Sequence, residues 1–139
     1  NTQTTKYPEI SENFYTGSAS NLSFKDNTFD IVLCNSVQAH NYEYREIFFE
    51  CYRVCCKHLI FDFRFSYIND KHNLDNSSND LPYIVLNIHE IFDLVSALDN
   101  CIKIDFMSYK IAPNMHNATN LEIEDADNIW CGLFLFSKK

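Results

Sequence analysis

Two short apolar runs separated by an amphipathic segment constrain this sequence more than anything else in it. The first is Phe29-Asp30-Ile31-Val32-Leu33-Cys34-Asn35, in which consecutive apolar residues stand between polar ones. Such a run predicts a strand covered on both faces, as in a parallel sheet. Beyond it, Tyr44, Ile47, Phe48, Cys51, Val54 and Cys55 recur at three- and four-residue intervals. Glu43, Arg45, Glu46, Glu50 and Arg53 occupy the positions between them, so the segment reads as an amphipathic helix. His58-Leu59-Ile60-Phe61-Asp62-Phe63 follows at once as a second buried strand. Strand, helix, strand at this spacing is a right-handed crossover, and it sets the fold class as α/β with a mostly parallel sheet.

The rest of the chain fits around that unit. Pro8 forces an extended path through the polar opening residues, and a short strand is expected near Asn13-Phe14-Tyr15-Thr16, ended by Gly17. Ser66 to Pro82 is a polar connection of the kind that often carries function. Asn87 with Glu90 three residues later predicts a helix N-terminus, and Ile88, Ile91, Phe92, Val95 and Leu98 give that helix an apolar face up to about Leu98. Ile102-Lys103-Ile104-Asp105-Phe106 alternates like a half-exposed strand, and the apolar run from Ile129 to Phe136 predicts a long one. Joined without a helix, these two are expected to pair antiparallel at one side of the sheet. Residues 1–139 thus form one domain.

Composition narrows the function classes. With 139 residues, 46% hydrophobic and 22% charged, the chain can bury a core of its own. A formal charge of -8 disfavours nucleic acid as a partner, because phosphate binding needs a cationic surface. The six cysteines contain no C-x-x-C pair and most lie in apolar runs, so they read as reduced core residues of a cytoplasmic protein. Cys51, Cys55 and Cys56 with His58 do not complete a ligand set, so no metal is expected. No run approaches the roughly eighteen apolar residues of a membrane helix, and no membrane partner is expected. There are only two glycines, Gly17 and Gly132, which excludes a G-x-G-x-x-G turn within these residues.

Two segments together resemble the class I S-adenosylmethionine-dependent methyltransferases, of the type 11 kind. Gly17-Ser18-Ala19-Ser20-Asn21-Leu22-Ser23-Phe24-Lys25-Asp26-Asn27-Thr28-Phe29-Asp30-Ile31-Val32 is similar to the family's G-D-A-x-x-L-P-F-x-D-x-x-F-D-x-V stretch. Glu50-Cys51-Tyr52-Arg53-Val54-Cys55-Cys56-Lys57 is similar to its E-x-x-R-V-L-K. The resemblance implies a Rossmann-like sheet with an antiparallel last strand, present as the carboxyl-terminal portion of a domain. It also implies S-adenosylmethionine as cofactor and methyl transfer to a small-molecule acceptor.

By that resemblance Gly17, Ser18 and Ala19 edge the adenine, and Cys34, Asn35 and Ser36 leave the strand that lines the methionine end. In an open α/β sheet the ligand lies at the carboxyl ends of the strands, which makes Asp62, Arg64 and Tyr67 candidates for acceptor contact, with Tyr83 on the far side of the polar connection. His40 is the candidate acid–base group, since an unperturbed imidazole titrates near neutrality. Three departures stand out. Ser18 replaces the family's adenine-binding Asp, the Pro-Gly-Gly turn after the helix is missing, and the glycine-rich first turn is absent. That turn is expected upstream of Asn1, and the 139 residues alone are expected to be inactive and to bind the cofactor weakly. The rival reading is a non-catalytic module of methyltransferase fold, whose open sheet edge pairs with the missing amino-terminal segment or with another chain.

Overall fold

The computed structural model describes residues 13–68, 82–111 and 128–139. Strand β1 (Phe29–Cys34) leads through a 3-10 turn (Gln38–His40) into helix α1 (Tyr44–Val54) and strand β2 (Cys55–Ser66). A short β3 (Leu86–Asn87), helix α2 (Ile88–Ser96), β4 (Cys101–Lys110) and β5 (Trp130–Lys138) complete the described elements. The sheet runs β1-β2-β5-β4, with β3 beside the end of β2. β1 and β3 are parallel to β2, and β5 is antiparallel to both β2 and β4. This is the α/β arrangement expected from the sequence, including the crossover and the antiparallel pair.

The register explains the core. Cys34, Phe61, Phe134 and Phe106 lie side by side across the four main strands. Because strand side chains alternate between faces, Phe61, Phe63 and Phe65 of β2 share this face with Phe134 and Phe136 of β5. They are covered by Ile47, Phe48 and Cys51 of α1 and by Ile91 and Leu94 of α2. Phe48 packs edge-on to Phe61 and Phe136, at ring separations of 5.2 and 5.3 Å. Both helices sit on the same face of the sheet.

Four expectations need correction. β1 is not covered on both faces: Ile31 is 61% and Leu33 67% exposed. Its apolar run reads as two-sided burial, yet among the described residues only the α1 side has a second layer. No strand forms at Asn13–Thr16, whose residues are exposed; the chain instead makes a turn closed by a bridge between Ser18 and Asn21. β2 starts at Cys55, directly from α1, and extends to Ser66, beyond the expected His58–Phe63. β4 is also longer than expected and mostly exposed.

The direct passage from α1 into β2 depends on Lys138. A helix leaves its last carbonyls without intrahelical partners. The ammonium of Lys138 donates to the carbonyls of Tyr52 (2.7 Å) and Cys55 (2.8 Å) and lies 4.2 Å from the centre of the Tyr52 ring. One cation from β5 thus closes the helix end that the missing Pro-Gly-Gly turn would otherwise close. At α2 the expected capping box is present, with His89 N donating to Asn87 Oδ1 (2.9 Å) and Asn87 N to Glu90 Oε2 (3.2 Å). The helix ends at Ser96, slightly before the expected Leu98. The six cysteines are unpaired, and no helix among the described residues is long and apolar enough to cross a membrane.

The two glycines differ sharply. A Cβ on Gly132 would stand 2.6 Å from a Phe134 ring carbon and 2.8 Å from one of Phe65, whereas Gly17 has nothing within 4 Å. Gly132→Ala is therefore expected to lower stability by about 1–3 kcal/mol through overpacking. Gly17→Ala should stay within about 0.5 kcal/mol. Urea denaturation of the two variants checks both.

Candidate functional site

The candidate site forms where β1 and β2 end. After Cys34 the chain turns at Ser36, whose φ of 60° is a left-handed conformation uncommon outside glycine. That turn aims the Ser36 N–H at Asp62 Oδ1, 2.7 Å away. Asp62 is 3% exposed, and its second oxygen accepts from Arg64 Nη1 at 2.9 Å. The same Nη1 touches the Cys131 thiol. A buried carboxylate needs compensation of this kind, and a guanidinium plus a backbone N–H supply it.

Gln38, fully buried, joins this pair to the opposite wall. Its Oε1 accepts from the Arg64 N–H at 2.9 Å, and its Nε2 donates to the Ile84 carbonyl at 3.4 Å. Ile84 N in turn donates to the Ala39 carbonyl at 2.7 Å. His40 Nδ1 lies 3.1 Å from the Pro82 carbonyl. A carbonyl can only accept, so the proton sits on Nδ1 and the exposed ring keeps a lone pair at Nε2. The Tyr83 ring lies 5.7 Å from that of His40. Burial pushes the Tyr83 hydroxyl up to about 12, against the pull of the Arg64 cation.

A second region holds the turn at Gly17–Ala19. Ser20 Oγ donates to Glu43 Oε2 at 2.6 Å, which uses its only proton. The 2.7 Å contact between the Ser18 and Ser20 hydroxyls must then be donated by Ser18. Ser18 Oγ is left as an acceptor, at the head of a hydrogen-bond chain that ends on a carboxylate. It accepts the Ser20 N–H at 3.3 Å and retains a further lone pair.

At the far end of α1, beside the amino ends of β1 and β2, stands a clamp built from both resemblance segments. Arg53 donates through Nη2 to the Leu22 carbonyl (3.0 Å) and through Nη1 to the Phe24 carbonyl (2.9 Å) and Asp26 Oδ1 (2.7 Å). Glu50 accepts the Arg53 Nε–H at 2.7 Å and the Leu22 N–H at 2.8 Å. The Arg53 hydrogen bonds, helped by the Leu22 N–H, hold the Glu50 carboxyl below its usual range.

The structure joins Ser36 to Asp62 and Asp62 to Arg64, with Asn35 the neighbour of Ser36 in sequence. His40 contacts Pro82 and the Tyr83 ring and shares its 3-10 turn with Gln38, which holds the Arg64 backbone. Gly17, Ser18 and Ala19 form the separate turn tied to the start of α1. The Cys34 side chain faces the core instead of the site, because strand alternation places it with Val32 on the α1 side. Tyr67 packs edge-on against Phe65 and Trp130, at 5.3 and 5.7 Å. That is the helix side of the sheet, opposite Asp62 and Arg64. The sequence reading missed Gln38, Glu43 and Cys131. None belongs to a motif, and only the fold brings them within reach of the residues they hold.

Comparisons with known proteins bear on the fold that carries these residues. Residues 1–61 match the family model described as a methyltransferase domain. A SAM-dependent methyltransferase from Thermotoga maritima superposes with a TM-score of 0.56 at 16% identity, covering 96% of this chain and 70% of that one. A phosphoethanolamine N-methyltransferase from Haemonchus contortus, in complex with phosphomonomethylethanolamine and S-adenosylhomocysteine, gives 0.61 at 14% identity, over 94% of this chain and 40% of that one. The [4+2]-cyclase SpnF gives 0.65 at 12% identity, over 99% of this chain and 60% of that one. At such identities the superpositions speak for the fold alone. No curated protein matches the chain significantly. The family match covers residues 1–61, less than half of the chain, so the comparisons show a methyltransferase-like fold and a likeness of its amino-terminal part to that family.

Because the Glu50 pKa is depressed in the folded state, its contribution to stability is present above the unfolded carboxyl pKa of about 4.3. It is lost as pH falls through the lower folded value. Urea midpoints measured at pH 5 and pH 3 should drop in the parent chain. Glu50→Gln should be less stable at pH 5 and show a shallower drop, and an unchanged slope would count against the clamp.

Proposed function

We propose that this domain transfers a methyl group from S-adenosylmethionine to a small-molecule acceptor, with His40 as the base. Methyl transfer from a sulfonium is an in-line displacement for which the cofactor, when bound, supplies the electrophile. The protein's share is positioning, exclusion of water and removal of a proton where the acceptor carries one. The observation that carries the reading is the His40–Pro82 hydrogen bond. It holds the ring by Nδ1 and leaves Nε2 as the nitrogen that could take a proton, beside the Tyr83 ring. Ser18, its oxygen left as an acceptor by the hydrogen bonds to Ser20 and Glu43, would hold the adenine amino group, with Gly17 and Ala19 along its edge. Asn35 and Ser36 lie where the methionine end is expected, with Cys34 contributing only backbone there. Asp62 and Arg64 form the acceptor side.

A cyclase on the same fold shows that architecture alone does not choose the reaction, so the site must be tested by itself. The glycine-rich turn that completes cofactor binding in the family is not among these residues, which contain only two glycines. The 139 residues by themselves are expected to bind S-adenosylhomocysteine weakly or undetectably by calorimetry. The product of the whole reading frame should bind it and pass labelled methyl to a member of a small-molecule acceptor panel. In that product His40→Gln should lower turnover by about 100-fold while leaving S-adenosylhomocysteine affinity unchanged. Absence of cofactor binding there would favour the non-catalytic module. Unchanged turnover in His40→Gln would remove His40 from the mechanism.

A further inference from the structure

We propose that the free edge of β4 is a self-association surface, and that its occupant is β4 of a second copy of this chain in antiparallel register. β4 is the last strand in the sheet order, so one side of its ladder has no partner among the described strands. It presents Ile102, Phe106, Met107 and Tyr109 to solvent, each at least 60% exposed. An edge this long and apolar is a template for further strand pairing unless its side chains forbid it.

The side chains of β4 favour one partner. Lys103 and Asp105 lie on one face of the strand and already pair with each other at 2.7 Å. A two-fold axis through Ile104 would set each Lys103 opposite the Asp105 of the second copy, twice over by symmetry. On the other face the same axis sets Ile104 against Ile104, with the two Phe106 side chains flanking it. Opposite charges directly across strands stabilise a pair, and like charges destabilise it. A strand whose charges are opposite in sign and placed symmetrically about an apolar centre is complementary to itself and to few other sequences. The apolar surface continues onto α2, where Phe92 is also exposed and lines a groove with Ile104 and Phe106. A two-fold through Ile104 would therefore extend both the sheet and its helix layer.

Reversing one charge turns both cross-strand pairs repulsive, and reversing both restores them. Sedimentation velocity should show a dimer of the parent chain. Asp105→Lys and Lys103→Asp should each raise its dissociation constant by about tenfold or more. Equal mixing of those two variants should restore a dimer of parent affinity, because one copy then carries two acids and the other two lysines. The double variant Lys103→Asp/Asp105→Lys should also self-associate. Both positions are more than half exposed, and restoration in the mixture shows that each single variant is folded. A monomeric parent, a dimer indifferent to the single reversals, or failure of the mixture to restore it would overturn the proposal. Since the reversed positions, Lys103 and Asp105, are not among the residues placed at the strand-end site, this outcome is independent of whether the domain transfers methyl groups.

Discussion

The Glu50–Arg53 clamp is the interaction on which the path of residues 22–26, and with it the seat of the Ser18 turn, depends. Residues 22–26 form no strand or helix of their own, so nothing in their local backbone fixes where they lie. Arg53 gathers two of their carbonyls and one carboxylate, and Glu50 takes one of their N–H groups. Both side chains project from the last turns of α1, which is anchored in the core by Ile47, Phe48 and Cys51. The loop that delivers Ser18 and Ala19 to the ligand side is thus tied to a rigid element. A lysine could not replace Arg53, because only a guanidinium presents donors in a fixed fork broad enough to span these acceptors.

The clamp also explains why the two resemblance segments belong together. Leu22, Phe24 and Asp26 lie in the first, Glu50 and Arg53 in the second, and the structure joins them by hydrogen bonds. What reads in sequence as two separated patterns is one structural unit. That gives the resemblance a physical basis beyond spacing.

Much of the fold was legible because burial leaves a periodic trace. The helix at Tyr44–Val54, the capping box at Asn87 and the antiparallel final pair all follow from patterns of apolar and polar residues. The errors share a cause as well. β1 was expected to be covered twice because sequence periodicity reports that a residue is apolar, not whether a second layer is present to cover it. The start of β2 was placed late because the closure of α1 comes from Lys138, which is remote in sequence and invisible to any local signal. At the site, Ser36, Asp62, Arg64 and His40 were legible because they follow strand ends, where ligands of such sheets bind. Gln38 and Glu43 were not, since their roles arise from long-range partners. The direction of the Cys34 side chain cannot be read from the sequence, because it depends on the register of β1 against β2.

Lys138 has a consequence for how the chain reaches this state. The carbonyls of Tyr52 and Cys55 precede it by 86 and 83 residues. β2 likewise gains its antiparallel neighbour only from the final strand. During synthesis the crossover unit therefore leaves the ribosome with its helix end open and one side of its central strand unpaired. Contacts of such long sequence separation form slowly, and the nascent segment stays exposed to other chains until β5 emerges. The helix is closed by a residue made more than eighty positions after it.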